Sequence, residues 1–530
     1  LVALFLAAVP AQAGDTRPAD LVLRNGVLFT ASGARGTAIA VTNGVIVFVG
    51  DDAGVAAHIG PSTKLIDLAG AMAAPGFHDA HMHPMSGGLR FLRCDLRSAA
   101  TSESVRQTVR DCRERREESW LVGYGLRFAD LSESFLTRVE LDALSPDRPA
   151  FLASEHGGTA WVNEAAISAA GLDPSATPSV VSGDAAARIR AAVPAPSERL
   201  YRRALSRSLK EAARFGITSI VDANVSPAML DAYVAAAEAG ELAMRLVAAQ
   251  RFDCASGDGE IRAAAARARK IDHAYLRADS MKVFLDGEFE DRTAALKEGY
   301  ADAPANRGAL CASAERLGSA VRRMQREALQ IHIHAMGDGA VAAALDALES
   351  APVQGRAPLR HQIAHLGLVA TEDAPRFSAL GVGANLQPLL APADPEEAAR
   401  LEERLGRLRA SRLYPFAALA RAGADAAAGS DWPSPSMNPL VAIEAMFRRS
   451  DRFAEVGLAR ALRAYTIGGA RSMRSERLTG SLEVGKAADI VVFDQNLFAL
   501  APEELSKARV VLTLVAGRAT WCDPTIDCPE

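Results

Sequence analysis

LQIHIHAMGDGAVAAALDALES, residues 329–350, changes its period halfway along. LQIHIHAMG is a short apolar run with histidine at every second place, which is strand spacing. GAVAAALDALES carries its apolar residues at helical spacing. A strand that runs through Gly-Asp into a helix is the building unit of parallel α/β folds. The same change recurs on both sides of it. ITSIVDA is followed by PAMLDAYVAAAEAGE and MKVFLDG by AERLGSAVRRMQREAL, while MRLVAAQ, HQIAHLGLV, GVGANLQP and DAAAGSD supply more short apolar strands. LVGYGLRF and PAFLASE read as earlier strands of the same kind. Alternation of this length predicts a (β/α)8 TIM-like barrel over residues 75–477, with an insertion at about 95–200. In that fold the chemistry sits where strands end and loops begin.

The two ends of the chain read differently. Residues 20–74 hold short β-branched runs broken by Asn25-Gly26 and Asn43-Gly44, which are hairpin signals. Residues 478–525 repeat the pattern in SLEVGKAADIVVFD and VVLTLVAGRATW. Each end is too small to fold alone, so the two are expected to pair into one β-sandwich. Ahead of them, LVALFLAAVPAQAG has the apolar run and Ala-x-Ala of a secretory signal, giving a signal peptide over residues 1–13 and an exported, periplasmic or secreted protein. That run is too short to span a bilayer, so no stable membrane insertion is expected. The chain has 530 residues, is 49% hydrophobic and carries a net charge of −5, with no basic excess to neutralise a phosphate backbone. Nucleic acid is therefore excluded as a partner, a small molecule is favoured, and assembly into a homo-oligomer is left open. DPEEAARLEERLGRLRASR, from residue 394, is a solvated mixed-charge helix.

Six cysteines in an exported chain are expected to pair. Cys522 and Cys528 bracket the turn-rich DPTID and form one pair; Cys94 with Cys112 and Cys254 with Cys311 complete one of about 15 possible pairings.

Polar residues where apolar runs stop are the candidates for chemistry. In HDAHMH, residues 78–83, His81 and His83 leave a strand on one face and offer two imidazoles to a metal; alone, the spacing also suits an ordinary polar loop. His78 is read as structural support, and Asp79 as support for the pair. His332 and His334, His361 and His365, and Asp431 end later strands. Lys282 lies inside the apolar MKVFLDG, where an ammonium is costly. A salt bridge or snorkelling would relieve it, as would carboxylation by CO2, which makes lysine an anionic oxygen ligand.

PGFHDAHMH, MKVFLDG with DRTAAL, HIHAMGDGAV, HQIAHLGL, GSDWP, and AYTIGGAR followed by GSLEVGKAADIVVFD resemble, in order, the signatures of the amidohydrolase superfamily of metal-dependent hydrolases. The resemblance is to the branch that includes N-substituted formamide deformylase. It implies a barrel with a β-sandwich and a centre of one or two divalent metal ions. His81 and His83 correspond to its first-strand pair, Lys282 to the bridging N6-carboxylysine with its CO2-derived carbamate, His334 and His365 to ligands on strands five and six, and Asp431 to the strand-eight ligand and catalytic base. Zinc is the default ion for such donors. Asp286, Glu288, Arg292, His156, His332 and Trp432 are the substrate-facing candidates. Glu155-His156-Gly157-Gly158 departs from the Asp-Gly-His of relatives, so the substrate is not inherited with the metal site. The expected reaction is hydrolysis of an amide-type C–N bond of a small molecule by hydroxide generated on the metal. An ester, a cyclic amide or a deamination substrate fits the same site, and a non-catalytic metal-binding regulatory protein is the remaining alternative.

Overall fold

The computed structural model describes residues 18–115, 118–154, 158–351, 358–392, 394–433, 436–449 and 457–529. Residues 1–13, expected as a signal peptide, and His156 lie outside them. Eight strands form one sheet in strict chain order. They are β1 (Phe77–Met82), β2 (Ile217–Val225), β3 (Arg245–Phe252), β4 (Leu276–Phe284), β5 (Gln330–Ala335), β6 (Gln362–His365), β7 (Gly383–Leu386) and β8 (Asp425–Ala428). Every neighbouring pair is parallel. Buried on both faces, such strands read as nearly continuous apolar runs, which is why their few polar residues stand out. The fold is a (β/α)8 TIM-like barrel with additional sheets.

The barrel closes where β8 meets β1. Asp431 N donates to His81 O at 2.8 Å, and His83 N donates to Trp432 O at 2.8 Å. Gly429 makes this approach possible, since a Cβ there would lie 2.4 Å from His81 N. An Asn385 amide bonded to Ala80 O at 2.9 Å joins β7 to the same seam.

The chain ends build two further sheets. Strands Val45–Gly50, Ala38–Thr42, Leu21–Arg24 and Lys64–Asp67 form one; Val27–Leu28, Met72–Pro75, Ile490–Phe493, Val510–Val515 and Arg518–Cys522 form the other. Met72–Pro75 pairs antiparallel with Ile490–Phe493, so the second sheet draws on both termini. Leu23, Ile39, Ile490 and Leu512 pack in the core that they share. Cys522 and Cys528 are disulfide-bonded beside it. Arg245 at the start of β3 pairs with buried Asp489 at 2.9 Å and ties the barrel to this sheet.

Pro84–Ser208 forms a second compact unit, against the 95–200 expected for the insertion. LVGYGLRF and PAFLAS belong here, not to the barrel. Their strands, Leu121–Tyr124 and Ala150–Ala153, join Cys94–Asp95, Thr159–Val162 and Val180–Ser182 in a five-stranded mixed sheet. Buried Trp161, Leu152 and Phe135 line its core. Cys94 and Cys112 are bonded within this unit, and Cys254 and Cys311 within the barrel unit. The mixed-charge segment is a helix over Pro395–Leu405, with Arg400 and Glu396 paired at 2.8 Å on its exposed face. Among the described residues no helix is long and apolar enough to cross a membrane.

Candidate metal centre

β1 presents Asp79, His81 and, just beyond its end, His83 on one face, while His78 points the other way and bonds Gly76 O at 3.0 Å. His81 Nε2 lies 3.4 Å and His83 Nε2 3.2 Å from Asp431 Oδ1. These three side chains each offer one ligand atom, all within 4.8 Å of one another. β4 brings Lys282 Nζ to 3.3 Å from His81 Nε2. β5 and β6 bring His334 and His365, whose rings lie 4.3 Å apart, and the His365 ring lies 4.7 Å from that of His81. All six residues expected as ligands thus come together at the C-terminal ends of β1, β4, β5, β6 and β8.

The donor chemistry fits a divalent ion. Burial holds His334 down at about 3 and His81, His332 and His365 well below the ordinary histidine value, so these rings are neutral and able to ligate. His334 Nε2 and His365 Nδ1 are buried with no hydrogen-bond partner, a cost that coordination would remove. Burial also pushes Lys282 down to about 7, and no carboxylate makes an ion pair with it among the described residues. His83 differs: burial disfavours its charge, yet Asp222 and Asp431 outweigh that and lift it to about 9.

The backbone is strained at two of these positions. His365 and Asp431 have φ of 74° and 55°, in the left-handed region. Such conformations cost about 1–3 kcal/mol and persist where surroundings enforce them. Here Gln387 Oε1 accepts from His365 N at 2.7 Å, and the seam bond from Asp431 to His81 holds the other.

The substrate-facing candidates separate into different roles. His332 Nε2 lies 2.9 Å from His81 Nδ1 and therefore backs His81. Asp286 is fully buried and accepts from Ala295, Met336 and Gly337 backbone N–H groups at 2.8, 2.9 and 2.9 Å, so it braces the loops after β4 and β5. Arg292 is engaged by Asp302 at 2.6 Å and is not brought to the cluster. Glu288 Oε1 lies 3.9 Å from His334 Nε2 with nearly half its side chain exposed. Trp432 is buried and contributes its carbonyl to the seam. His361 accepts from Ile331 N at 3.0 Å and is structural.

Asp222 belongs to the site and sequence reading gave it no role. It is fully buried near the end of β2, with Oδ1 3.8 Å from His83 Nδ1. ITSIVDA does carry the signal, a carboxylate late in an apolar strand, as AAAGSD does for Asp431.

Residues 64–520 match the model of the amidohydrolase family, and the chain belongs to that family. YtcJ of Bacillus subtilis is 28% identical over 524 residues, covering 92% of this chain and 96% of that protein. N-substituted formamide deformylase of Arthrobacter pascens is 27% identical over 546 residues, covering 95% and 98%. The crystal structure of an uncharacterized metal-dependent hydrolase from Pyrococcus furiosus superposes with a TM-score of 0.76 at 24% identity, covering 91% of this chain and 99% of the other. The protein is thus a hydrolase of the amidohydrolase family, and its likeness to the solved structure shows a shared fold.

Proposed function

We propose that this hydrolase cleaves an amide-type C–N bond of a small molecule at a centre held by His81, His83, Lys282, His334, His365 and Asp431. The observation that carries this reading is the convergence of four neutral or acid-paired imidazoles, a buried lysine that makes no ion pair among the described residues, and Asp431 on five strand ends. One or two divalent ions, zinc by donor type, would supply Lewis acidity and bring water's pKa from about 15.7 towards 7. Lys282 would join the donor set as N6-carboxylysine: the buried amine, with its lowered basicity, attacks CO2, loses a proton and becomes an anionic oxygen donor. Asp431 takes the proton of the water that adds to the substrate carbonyl and returns it to the leaving nitrogen as the C–N bond breaks. Its Oδ1 lies within 3.4 Å of both His81 and His83, which supports that role.

Export is part of this reading, supported by the pairing of all six cysteines. Sequencing the N-terminus of secreted protein should find cleavage after Ala13.

The central test is a screen of N-acyl, N-formyl and cyclic amides, with esters and aminopurines as the other arms, on protein supplied with zinc and bicarbonate. An amide should turn over, chelation should abolish turnover and zinc should restore it. Asp431→Asn should lower kcat about 100- to 10,000-fold, the range of a general acid–base group, while most bound metal is kept. Turnover that survives both chelation and Asp431→Asn would overturn the proposal.

A further inference from the structure

Asp222 is a buried carboxylate to which the hydrolysis proposed above assigns no step. It lies on β2, in register with Met82 of β1, and its side chain is fully inaccessible. Two donors fix it from the protein side. Tyr233, on the helix Pro227–Glu238, donates its hydroxyl to Oδ2 at 2.6 Å, and the backbone N–H of Asn224 donates to Oδ1 at 3.2 Å. The phenol and the carboxyl are both enclosed. The imidazole of His83 faces it, with Nδ1 3.8 Å from Oδ1.

His83 stands between two carboxylates, with Nε2 turned to Asp431 and Nδ1 to Asp222. A neutral imidazole offers a lone pair on one nitrogen and a hydrogen on the other. If Nε2 serves the ligand cluster, Nδ1 must carry the hydrogen, and the group facing it is an acceptor pinned by a strand on one side and a helix on the other. A carboxylate in that place selects the tautomer and the ring orientation and strengthens the ligand nitrogen. His83 has most need of it, because it lies past the end of β1 and 21% of its side chain is exposed, whereas His81 is enclosed.

We infer that Asp222, held by Tyr233, is the positioning residue of His83, turning its Nε2 towards the ligand cluster shared with His81 and Asp431. This rests on the metal centre proposed above.

The test uses the full chain, stripped of metal, as wild type, Asp222→Asn and Tyr233→Phe. Affinity for Zn(II) is measured by competition with a chromophoric chelator, and the Co(II)-loaded forms are compared by visible absorption. Asp222→Asn should bind zinc about 10- to 100-fold more weakly, with a changed Co(II) spectrum. A residue that only stabilises the barrel would lower the melting temperature and leave both readouts of the folded protein unmoved. Wild-type affinity and an unaltered Co(II) spectrum in Asp222→Asn would therefore overturn the positioning role while the metal centre stands. A wild-type protein that takes up no metal would overturn the centre and this role together. If Asp222→Asn does not fold, Tyr233→Phe decides: severalfold weaker zinc binding supports the role, and unchanged binding overturns it.

Discussion

Two His-x-His pairs stand at β1 and β5 of one barrel, with three strands between them, and their identical spacing conceals different uses. His81 and His83 both turn an Nε2 to Asp431, at 3.4 and 3.2 Å. His332 and His334 share a face of β5 and divide the work. His332 sits deeper and spends its Nε2 on His81 Nδ1 at 2.9 Å, while His334, two residues further along the strand, makes no hydrogen bond through its Nε2. Spacing sets the face on which a side chain leaves a strand; depth along the barrel axis decides whether it meets the ligand cluster or the layer beneath it.

Substitution breaks or sharpens this contrast. His81→Ala removes the side chain at the centre of the cluster and should lower kcat/KM by at least about 1,000-fold with loss of bound zinc, read by kinetics and metal analysis. Lys282→Ala should follow, with about a 100-fold loss of turnover. Labelling with 13C-bicarbonate should give a carbamate carbon signal in the wild type that this variant lacks. His332→Ala should cost less, about 10- to 100-fold in metal affinity, because it removes the support of a ligand and leaves the donor set whole. A loss as large as that of His81→Ala would place His332 among the ligands and end the distinction.

The smallest effect comes from a histidine outside both pairs. Burial holds His361 at about 4, below the unfolded value of 6.5, so the unfolded chain takes up a proton first as pH falls. The stability this contributes is full above pH 6.5 and is lost as pH falls towards 4. Between pH 7 and 6 the share of His361 is about 0.7 kcal/mol. Denaturant titration of the metal-free protein should show that slope reduced in His361→Asn.

Much of the barrel was legible because a parallel strand buried on both faces tolerates few polar residues, and several of the exceptions fall at or near a strand's C-terminal end. Asp431, Lys282 and His365 stand out in AAAGSD, MKVFLDG and HQIAHLGL for that reason. What stayed hidden depends on partners far apart in sequence. Asp222 has the same signature as Asp431, yet its meaning comes from His83 on the neighbouring strand and Tyr233 on the next helix. Asp286 reads as a charge for substrate until its three backbone donors are seen to occupy it. Arg292 reads likewise, and Asp302 takes it. LVGYG and PAFLA have the composition of barrel strands, and only their pairing with one another assigns them to a separate sheet.

The seam between β1 and β8 has a mechanical side. Asp79 and Ser430, bonded at 3.0 Å, are 351 positions apart, so this junction is among the longest-range closures in the chain and carries a heavy loop entropy. His81 and Asp431 flank it on opposite sides, and an ion held by both, as proposed above, would act as a rivet through the last joint of a hoop. Such a rivet should make hydrogen exchange at the seam amides of His83, Ser430 and Asp431 a gauge of loading, fast in stripped protein and slow in charged protein, while exchange along β3 and β4 should stay level.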